Sequence, residues 1–246
     1  DHFPGFTGSI EAMLTDLGER HPQMQFDYVD LNYDMMRDQD GVPVMYEVPI
    51  SQTGLGAISP NSAYYATRTI VNCDVLISVP VMKTHGNTGV TAVFKNYIGT
   101  APREMYQGSG WWNAELHNRH AIDNNIDPAV CDLASFHPPD FAVVDGIQGL
   151  QYTEHNNNRS DQTIRRNVVL AGEDPVAVDA VVCKVMGYTP GDMNYLRFAA
   201  ARGLGTFDLD YISVRGDAIE EAAHNWIKAP SGENYDLRFY YGRGNH

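Results

Sequence analysis

Short apolar runs of strand length alternate with longer segments of helical periodicity, and this alternation constrains the fold of the chain most. Nearly uninterrupted apolar runs occur at residues 74–80, 141–145 and 168–172. Such runs are typical of strands that are buried on both faces, as in a parallel sheet between two layers of helices. The sequence therefore predicts an α/β fold in which the three runs are neighbours in one mainly parallel sheet, with helices covering both faces.

The segments around these runs carry apolar residues at intervals of three and four, which is the helical period. The chain of 246 residues shows no internal repeat and no clear linker, so we predict one domain over residues 1–246. The predicted helices are 9–20, 88–98, 122–136, 174–186 and 192–202.

The charge of the chain excludes some classes of partner. Seventeen basic and thirty-one acidic residues give a net charge of −14. So acidic a protein has no general attraction for nucleic acid or for anionic lipid, and we expect neither as a partner. No apolar run reaches the length of about 18 residues that a membrane span needs. The first residues resemble the middle of a chain, which leaves the compartment open between the cytoplasm and export after loss of a signal segment.

Cysteine usage limits the metal chemistry available to the chain. Cys73, Cys131 and Cys183 lie far apart, and no Cys-x-x-Cys pair occurs. A four-cysteine zinc or iron–sulfur site cannot be built from this chain alone. Because their surroundings are mostly apolar, we expect the cysteines to be buried structural thiols.

The densest group of polar residues follows the first apolar run. Lys83 and His85 are expected to leave the strand at its carboxyl end, where ligands of open α/β sheets bind. Gly86 and Gly89 suit a tight turn, and Thr88 is a candidate N-cap for the next helix. The segment is thus a candidate anion or metal pocket, although it lacks the Walker spacing. The alternative is a capped turn with a solvated lysine and histidine.

Three aspartates are further candidates. Asp145 is expected to end the second run at the same edge of the sheet, or else to form an ordinary Asp-Gly turn. Asp174 before Pro175 is a strong N-cap candidate. Asp179 lies in an almost entirely apolar helix, where an ionised carboxylate needs a partner such as a metal, Lys83 or Lys95.

These motifs resemble those of the domain of unknown function 362 family, whose members are often described as related to iron–sulfur proteins. The segments 74–85 and 91–99 are similar to its characteristic lysine–threonine–histidine and lysine–asparagine block, and further similarity lies at His120, 141–146 and 169–179. The resemblance spans residues 70–216 and leaves 217–246 as a C-terminal extension. The cysteine-rich module that the family often carries is absent here, so no iron–sulfur cluster is inherited. Residues 151–158 replace the usual glycine-rich stretch.

A shorter resemblance concerns one loop. The Thr84–His85 pair, followed by glycines and Lys95, is similar to a loop of lactate-racemase-like proteins, in which histidines and a lysine surround a nickel-bearing cofactor.

The sequence favours a metal- or anionic-cofactor-binding protein that acts on a small anionic substrate, as an oxidoreductase or isomerase. The alternatives are a non-catalytic subunit of a larger assembly, with a protein partner or a second copy, and a metal-assisted racemase or hydride-transfer enzyme. Histidine and carboxylate ligands favour Fe, Mn or Zn. We expect side-chain atoms of His85, Lys83 or Lys95 and of Asp145 or Asp179 to line one pocket, within about 10 Å of each other. The expected catalytic residues are Lys83, His85, Lys95 and Asp145, the expected cofactor-binding residues are Thr84, Gly86, Thr88, Gly89, Thr91 and Asn96, and the expected metal ligands are His85, His120, Asp145, Asp174 and Asp179.

Overall fold

A computed structural model describes residues 9–49, 61–107, 116, 126–154 and 160–229. Helices and a mixed sheet together give a broadly α/β architecture. The strands are β1 (Met45–Glu47), β2 (Ala63–Tyr65), β3 (Ile77–Ser78), β4 (Val81–His85), β5 (Gly89–Thr91), β6 (Phe141–Leu150) and β7 (Thr163–Gly172). The helices are α1 (Ile10–Arg20), α2 (Arg68–Asn72), α3 (Val93–Asn96), α4 (Arg103–Tyr106), α5 (Asp127–Phe136), α6 (Pro175–Val185), α7 (Asn194–Ala201) and α8 (Ile219–Ala222).

Strand β6 is the centre of the main sheet. On one side it pairs in parallel with β3 and then with β4, where Val81 lies opposite Asp145. On its other side it pairs antiparallel with β7, and β5 runs antiparallel to β4 at the far edge. The prediction that the three apolar runs share one sheet is confirmed, but the direction of β7 differs from the prediction. The connection over residues 151–162 joins adjacent ends of β6 and β7, and such a connection makes neighbouring strands antiparallel.

Helices on both faces of this sheet are not confirmed by the structure. One face is buried, since Ala142 and Val144 of β6 belong to the same core cluster as Val176 and Val182 of α6. On the opposite face, Ile77 is 54% exposed, Val79 62% and Val169 59% in the part of the chain that the structure describes. Because these residues are as apolar as those of the buried face, the sequence pattern could not show that the two faces differ in burial.

Most predicted helices are present. The helices predicted at 9–20, 174–186 and 192–202 are confirmed as α1, α6 and α7. Within the helix predicted at 122–136, the structure has α5 from Asp127 onward, and residues 122–125 lie outside the described part. The helix predicted at 88–98 is wrong in its first half, where β5 pairs with β4 instead.

Candidate functional site

The side chain of His85 organises the turn between β4 and β5. Its Nδ1 accepts hydrogen bonds from the backbone N–H of Asn87 (2.9 Å) and of Thr88 (3.3 Å). Gly89 follows with φ of +78°, a left-handed conformation that favours glycine. Thr88 donates its hydroxyl to the carbonyl of Val90 (2.9 Å) and is therefore not the N-cap that the sequence predicted. Lys83 and His85 lie within β4, a separate strand that begins at Val81, so they do not follow the first apolar run as a turn at its carboxyl end.

The same turn determines which nitrogen of the His85 ring carries the proton and which acidic residue lies beside it. Because Nδ1 accepts two N–H groups, the proton of neutral His85 is assigned to Nε2. Nε2 lies 3.6 Å from Oε1 of Glu154. The other oxygen of Glu154 accepts from the backbone N–H of Gly86 (3.3 Å) and from the hydroxyl of Thr153 (3.1 Å). The carboxylate of Glu154, which follows β6, therefore forms one side of the site.

Two partly buried lysines share this carboxylate. Burial lowers the pKa of Lys83, and the charge of Glu154 opposes the shift. Burial also lowers the pKa of Lys95 to about 8; the charge of Lys83 lowers it further, whereas Glu154 and Asp127 oppose the shift. An amine with such a pKa exchanges protons near neutral pH, which an ordinary lysine does not do.

A buried hydroxyl stands beside Lys83. Thr91 lies directly opposite Lys83 in the β4–β5 register, so the two side chains share one face of the sheet. The Thr91 hydroxyl is buried and has no hydrogen-bond partner among the residues that the structure describes. We call Lys83, His85, Thr91, Lys95 and Glu154 the lysine cluster.

The remaining predicted cofactor contacts have structural roles around the cluster. The Thr84 hydroxyl is buried without a partner within the described ranges, and Thr84 lies opposite Val90. Asn96 donates its amide to the hydroxyl of Ser78 (3.3 Å), which ties the end of α3 to β3.

Asp179 is fully buried and caps α3. Its carboxylate accepts from the backbone N–H of Val93 (2.8 Å) and of Phe94 (3.1 Å), and from the side chain of Tyr195. The prediction that Asp179 has partners in the fold is confirmed, but these partners are N–H and O–H donors and not a metal or a lysine. Burial raises the pKa of Asp179 to about 7, and the three hydrogen bonds oppose the shift. Asp179 thereby fixes the helix that carries Lys95.

The other two aspartates each have hydrogen-bond donors of their own. Asp174 is the N-cap of α6, accepting from the N–H of Val176 (2.9 Å) and Ala177 (2.8 Å), and its second oxygen accepts from the N–H of Thr206 (3.0 Å). Asp145 does not end its strand, because β6 continues to Leu150. Its carboxylate accepts from the N–H of Ile147 (2.8 Å), and the residue lies opposite Val81 and Val169, whose side chains are exposed.

The predicted metal ligands are not gathered into one site in the described part of the chain. Within that part, no three His, Cys, Asp or Glu side chains are placed to hold a metal ion together. Backbone N–H groups donate to His85, Asp174 and Asp179. Asp145 lies on the face of the sheet that carries the exposed side chains of Val81 and Val169. His120, the fifth predicted ligand, lies outside the described residues.

Reasoning from the sequence missed Glu154 and Asp127. Glu154 was noted only as part of the segment that replaces a glycine-rich stretch. The signal in the sequence was an acidic residue shortly after β6, the strand that pairs with β4 and its Lys83 and His85. Asp127 opens α5 and is buried, and its charge acts on Lys95 from a third element.

The DUF362 family, described as a domain of unknown function, matches residues 31–184, which are more than half of the chain. The chain belongs to the DUF362 family. The resemblance predicted from the motifs is thereby confirmed, although the matched region begins and ends earlier than residues 70–216. All described members of the lysine cluster lie inside the DUF362 match.

Similarity to individual proteins is more distant. The chain is 24% identical over 162 residues to a thylakoid-associated protein of Synechocystis sp. strain PCC 6803. The aligned region covers 65% of this chain and 47% of that protein, so the chain spans about half the length of its curated relative. No solved structure matches the chain. Among the described residues, no helix is both long and apolar enough to cross a membrane.

Proposed function

We propose that this DUF362 protein binds a small anionic ligand, a carboxylate or a phosphate, at the lysine cluster, and that Lys95 is its acid–base group. The observation that carries the proposal is the buried hydroxyl of Thr91 beside Lys83. A buried donor without a protein partner is costly, and an oxygen of a bound anion would satisfy it.

The charges of the cluster support the same proposal. Lys83 and Lys95 both lie near Glu154, so one carboxylate opposes two amines. Of the two lysines, Lys95 is also affected by the charge of Asp127, so Lys83 is the better anchor for an anion. A ligand charge beside these amines would stabilise their protonated forms and raise the pKa of Lys95 from about 8.

Proton transfer is the chemistry that these side chains support. Near pH 7 a minor fraction of Lys95 is neutral and able to accept a proton, and the protonated majority is able to return one. His85 directs Nε2 at Glu154, so the imidazole contacts the carboxylate that lies beside the two lysines. We therefore infer an isomerase-type reaction in which Lys95 takes a proton from a carbon next to the bound anionic group and a proton is then returned to the product.

Ligand-induced thermal shifts test the proposal, with inorganic phosphate and malonate as probes. We expect both parent and Lys184→Met, which changes an exposed lysine of α6, to be stabilised by at least one probe. Lys83→Met should abolish the shift, and Thr91→Val should reduce it. Equal shifts in all four proteins, or no shift in the parent with either probe, would contradict anion binding at this cluster.

A second candidate function is that of a non-catalytic subunit. The exposed apolar face of the sheet favours it, because such a surface is unusual on a monomer. Within the described ranges, Ile77, Val79 and Val169 on this face are each more than half exposed. The thermal-shift series separates the two candidates, since a subunit without a ligand site shows no phosphate or malonate effect in any variant.

A further inference from the structure

A second cluster of reactive side chains lies away from the lysine cluster, around Cys73. This residue follows α2, His137 follows α5, and Asp140 precedes β6. The sequence predicted three buried structural thiols, and Cys131 and Cys183 are indeed buried. Cys73 is instead partly exposed and lies beside a histidine.

The three side chains form a linear chain of contacts. The Sγ of Cys73 lies 3.8 Å from Nδ1 of His137, and Nε2 of the same ring lies 3.5 Å from Oδ2 of Asp140. Thiol and carboxylate thus face opposite nitrogens of one imidazole. A base beside the nucleophile and a carboxylate that orients the base together activate a thiol. The hydrogen-bond distances in such an arrangement are often long when no substrate is bound.

The surrounding backbone holds the histidine and the carboxylate in place. The N–H of Leu76 donates to Oδ2 of Asp140 (2.8 Å), which lowers the pKa of Asp140 and keeps it ionised. The hydroxyl of Tyr97 donates to the carbonyl of His137 (2.5 Å). An ionised Asp140 favours the tautomer with the proton on Nε2, and this leaves the lone pair of Nδ1 directed at the thiol.

We propose that Cys73 is a peroxide-reactive thiol, with His137 as its general base and Asp140 as the residue that positions the imidazole. In the reaction, Nδ1 takes the thiol proton as sulfur attacks one oxygen of hydrogen peroxide and the O–O bond breaks. The departing hydroxide takes up that proton to give water, sulfur is oxidised to sulfenic acid, and peroxide is reduced.

The charges around Cys73 select this class of reagent. Burial raises the pKa of the thiol, and Asp140 and Asp74 raise it further. Preformed thiolate is therefore scarce, so the reaction depends on the transfer of the proton to His137. The two carboxylates disfavour anionic electrophiles, whereas hydrogen peroxide is small and neutral. Cys131 and Cys183 contact Tyr195 in the core, so neither is placed to convert the sulfenic acid to a disulfide.

The thiol proton has a second acceptor in the structure. The Sγ of Cys73 also lies 3.4 Å from the carbonyl oxygen of Ile70, to which it donates. A purely structural cysteine would react with peroxide at a rate that does not depend on His137. Dependence of the reactivity on His137 distinguishes the two roles.

The test is oxidation of the full chain with hydrogen peroxide from pH 5.5 to 9, with dimedone trapping of sulfenic acid and peptide mass spectrometry. We expect labelling at Cys73 and not at Cys131 or Cys183, which are internal controls. The rate should rise with pH and then level off, because His137 and not bulk hydroxide accepts the thiol proton. An unassisted thiol would instead react about tenfold faster with each pH unit up to its own pKa.

Variants identify the base. His137→Gln should slow labelling at pH 7 by about a hundredfold and abolish the plateau, whereas His21→Gln, at the end of α1, should change neither. Asp140→Asn should slow the reaction less than His137→Gln does, because the base remains and only its orientation is loosened. An unlabelled parent, a parent rate without a plateau, or His137→Gln reacting at the parent rate would each overturn the proposal. If His137→Gln does not fold, the pH profile of the parent still decides the outcome.

Discussion

Replacement of Asp179 by alanine should strongly destabilise the protein, although the residue contacts no ligand. The carboxylate is fully buried and accepts the N–H groups of Val93 and Phe94. Alanine leaves both donors without an acceptor in a region that water does not reach. Each buried donor left unsatisfied costs about 1–3 kcal/mol, so the two together predict a loss of about 4 kcal/mol in the free energy of unfolding. This is a large share of the stability of an ordinary domain, which is about 5–15 kcal/mol.

The pH dependence of Asp179→Asn provides an independent test of the same carboxylate. The pKa of Asp179 is about 7 in the fold, well above its value in an unfolded chain. The native state therefore holds a proton that the unfolded state has already released, and the stability contributed by Asp179 falls as the pH rises toward 7. At about 1.4 kcal/mol per pH unit, this fall reaches about 3 kcal/mol between pH 5 and 7. Asparagine does not titrate, so this pH dependence is absent from Asp179→Asn. Between pH 5 and 7, the free energy of unfolding of the parent should therefore fall by up to this amount relative to that of Asp179→Asn.

Urea unfolding of the parent, Asp179→Ala and Asp179→Asn at pH 5, 6, 7 and 8 measures both effects. Asp192→Ala, which changes an exposed aspartate, is the matched control and should lie within about 0.5 kcal/mol of the parent. A loss below about 1 kcal/mol for Asp179→Ala would refute the capping role. A difference between the parent and Asp179→Asn that does not change with pH would refute the raised pKa.

Four further substitutions test the packing and the buried polar groups of the fold. Arg202→Met should cost about 3–5 kcal/mol in urea unfolding, because it leaves the fully buried Asp132 without its ion-pair partner; a loss below about 1 kcal/mol would show that the pair contributes little. Gly146→Ala should cost about 1–3 kcal/mol of stability, since an added Cβ would lie 2.5 Å from Sδ of Met82. Gly18→Ala in α1 should instead stabilise the protein by about 0.5–1 kcal/mol, because a Cβ added there would have nothing within 4 Å. Thr91→Val should leave the unliganded protein unchanged or raise its melting temperature, because it removes a buried hydroxyl without a partner; a lower melting temperature would show that the hydroxyl is satisfied within the fold.

Much of the fold followed from local pattern. The three apolar runs share a sheet, and Asp174 with Pro175 begins α6 as their residue types predict. The argument that an ionisable residue in an apolar helix requires partners correctly singled out Asp179. These predictions succeeded because they rest on burial and capping, which short stretches of sequence determine.

The parts that could not be predicted depend on long-range placement. Val79 and Val169 are apolar, yet they lie on the more exposed side of the sheet in the described structure, and no local pattern distinguishes the two sides. The partner of His85 is Glu154, sixty-nine positions further along, because the β6 hairpin returns its end to the β4 turn. Cys73 and His137 meet across 64 positions for a similar reason. Such contacts follow from topology and not from spacing.

Direct titration of Lys95 tests the proposed anion site most sharply. The chain has four lysines, so 13C-dimethylation of their amines gives a simple NMR spectrum in which the exposed Lys184 is the reference signal. Lys95→Arg assigns the signal of interest by removing it. We predict that Lys95 titrates with a pKa of about 8 and that inorganic phosphate raises this pKa in the parent but not in Lys83→Met. A Lys95 signal with an ordinary lysine pKa near 10.4, unchanged by phosphate, would contradict both the acid–base role and the anion site.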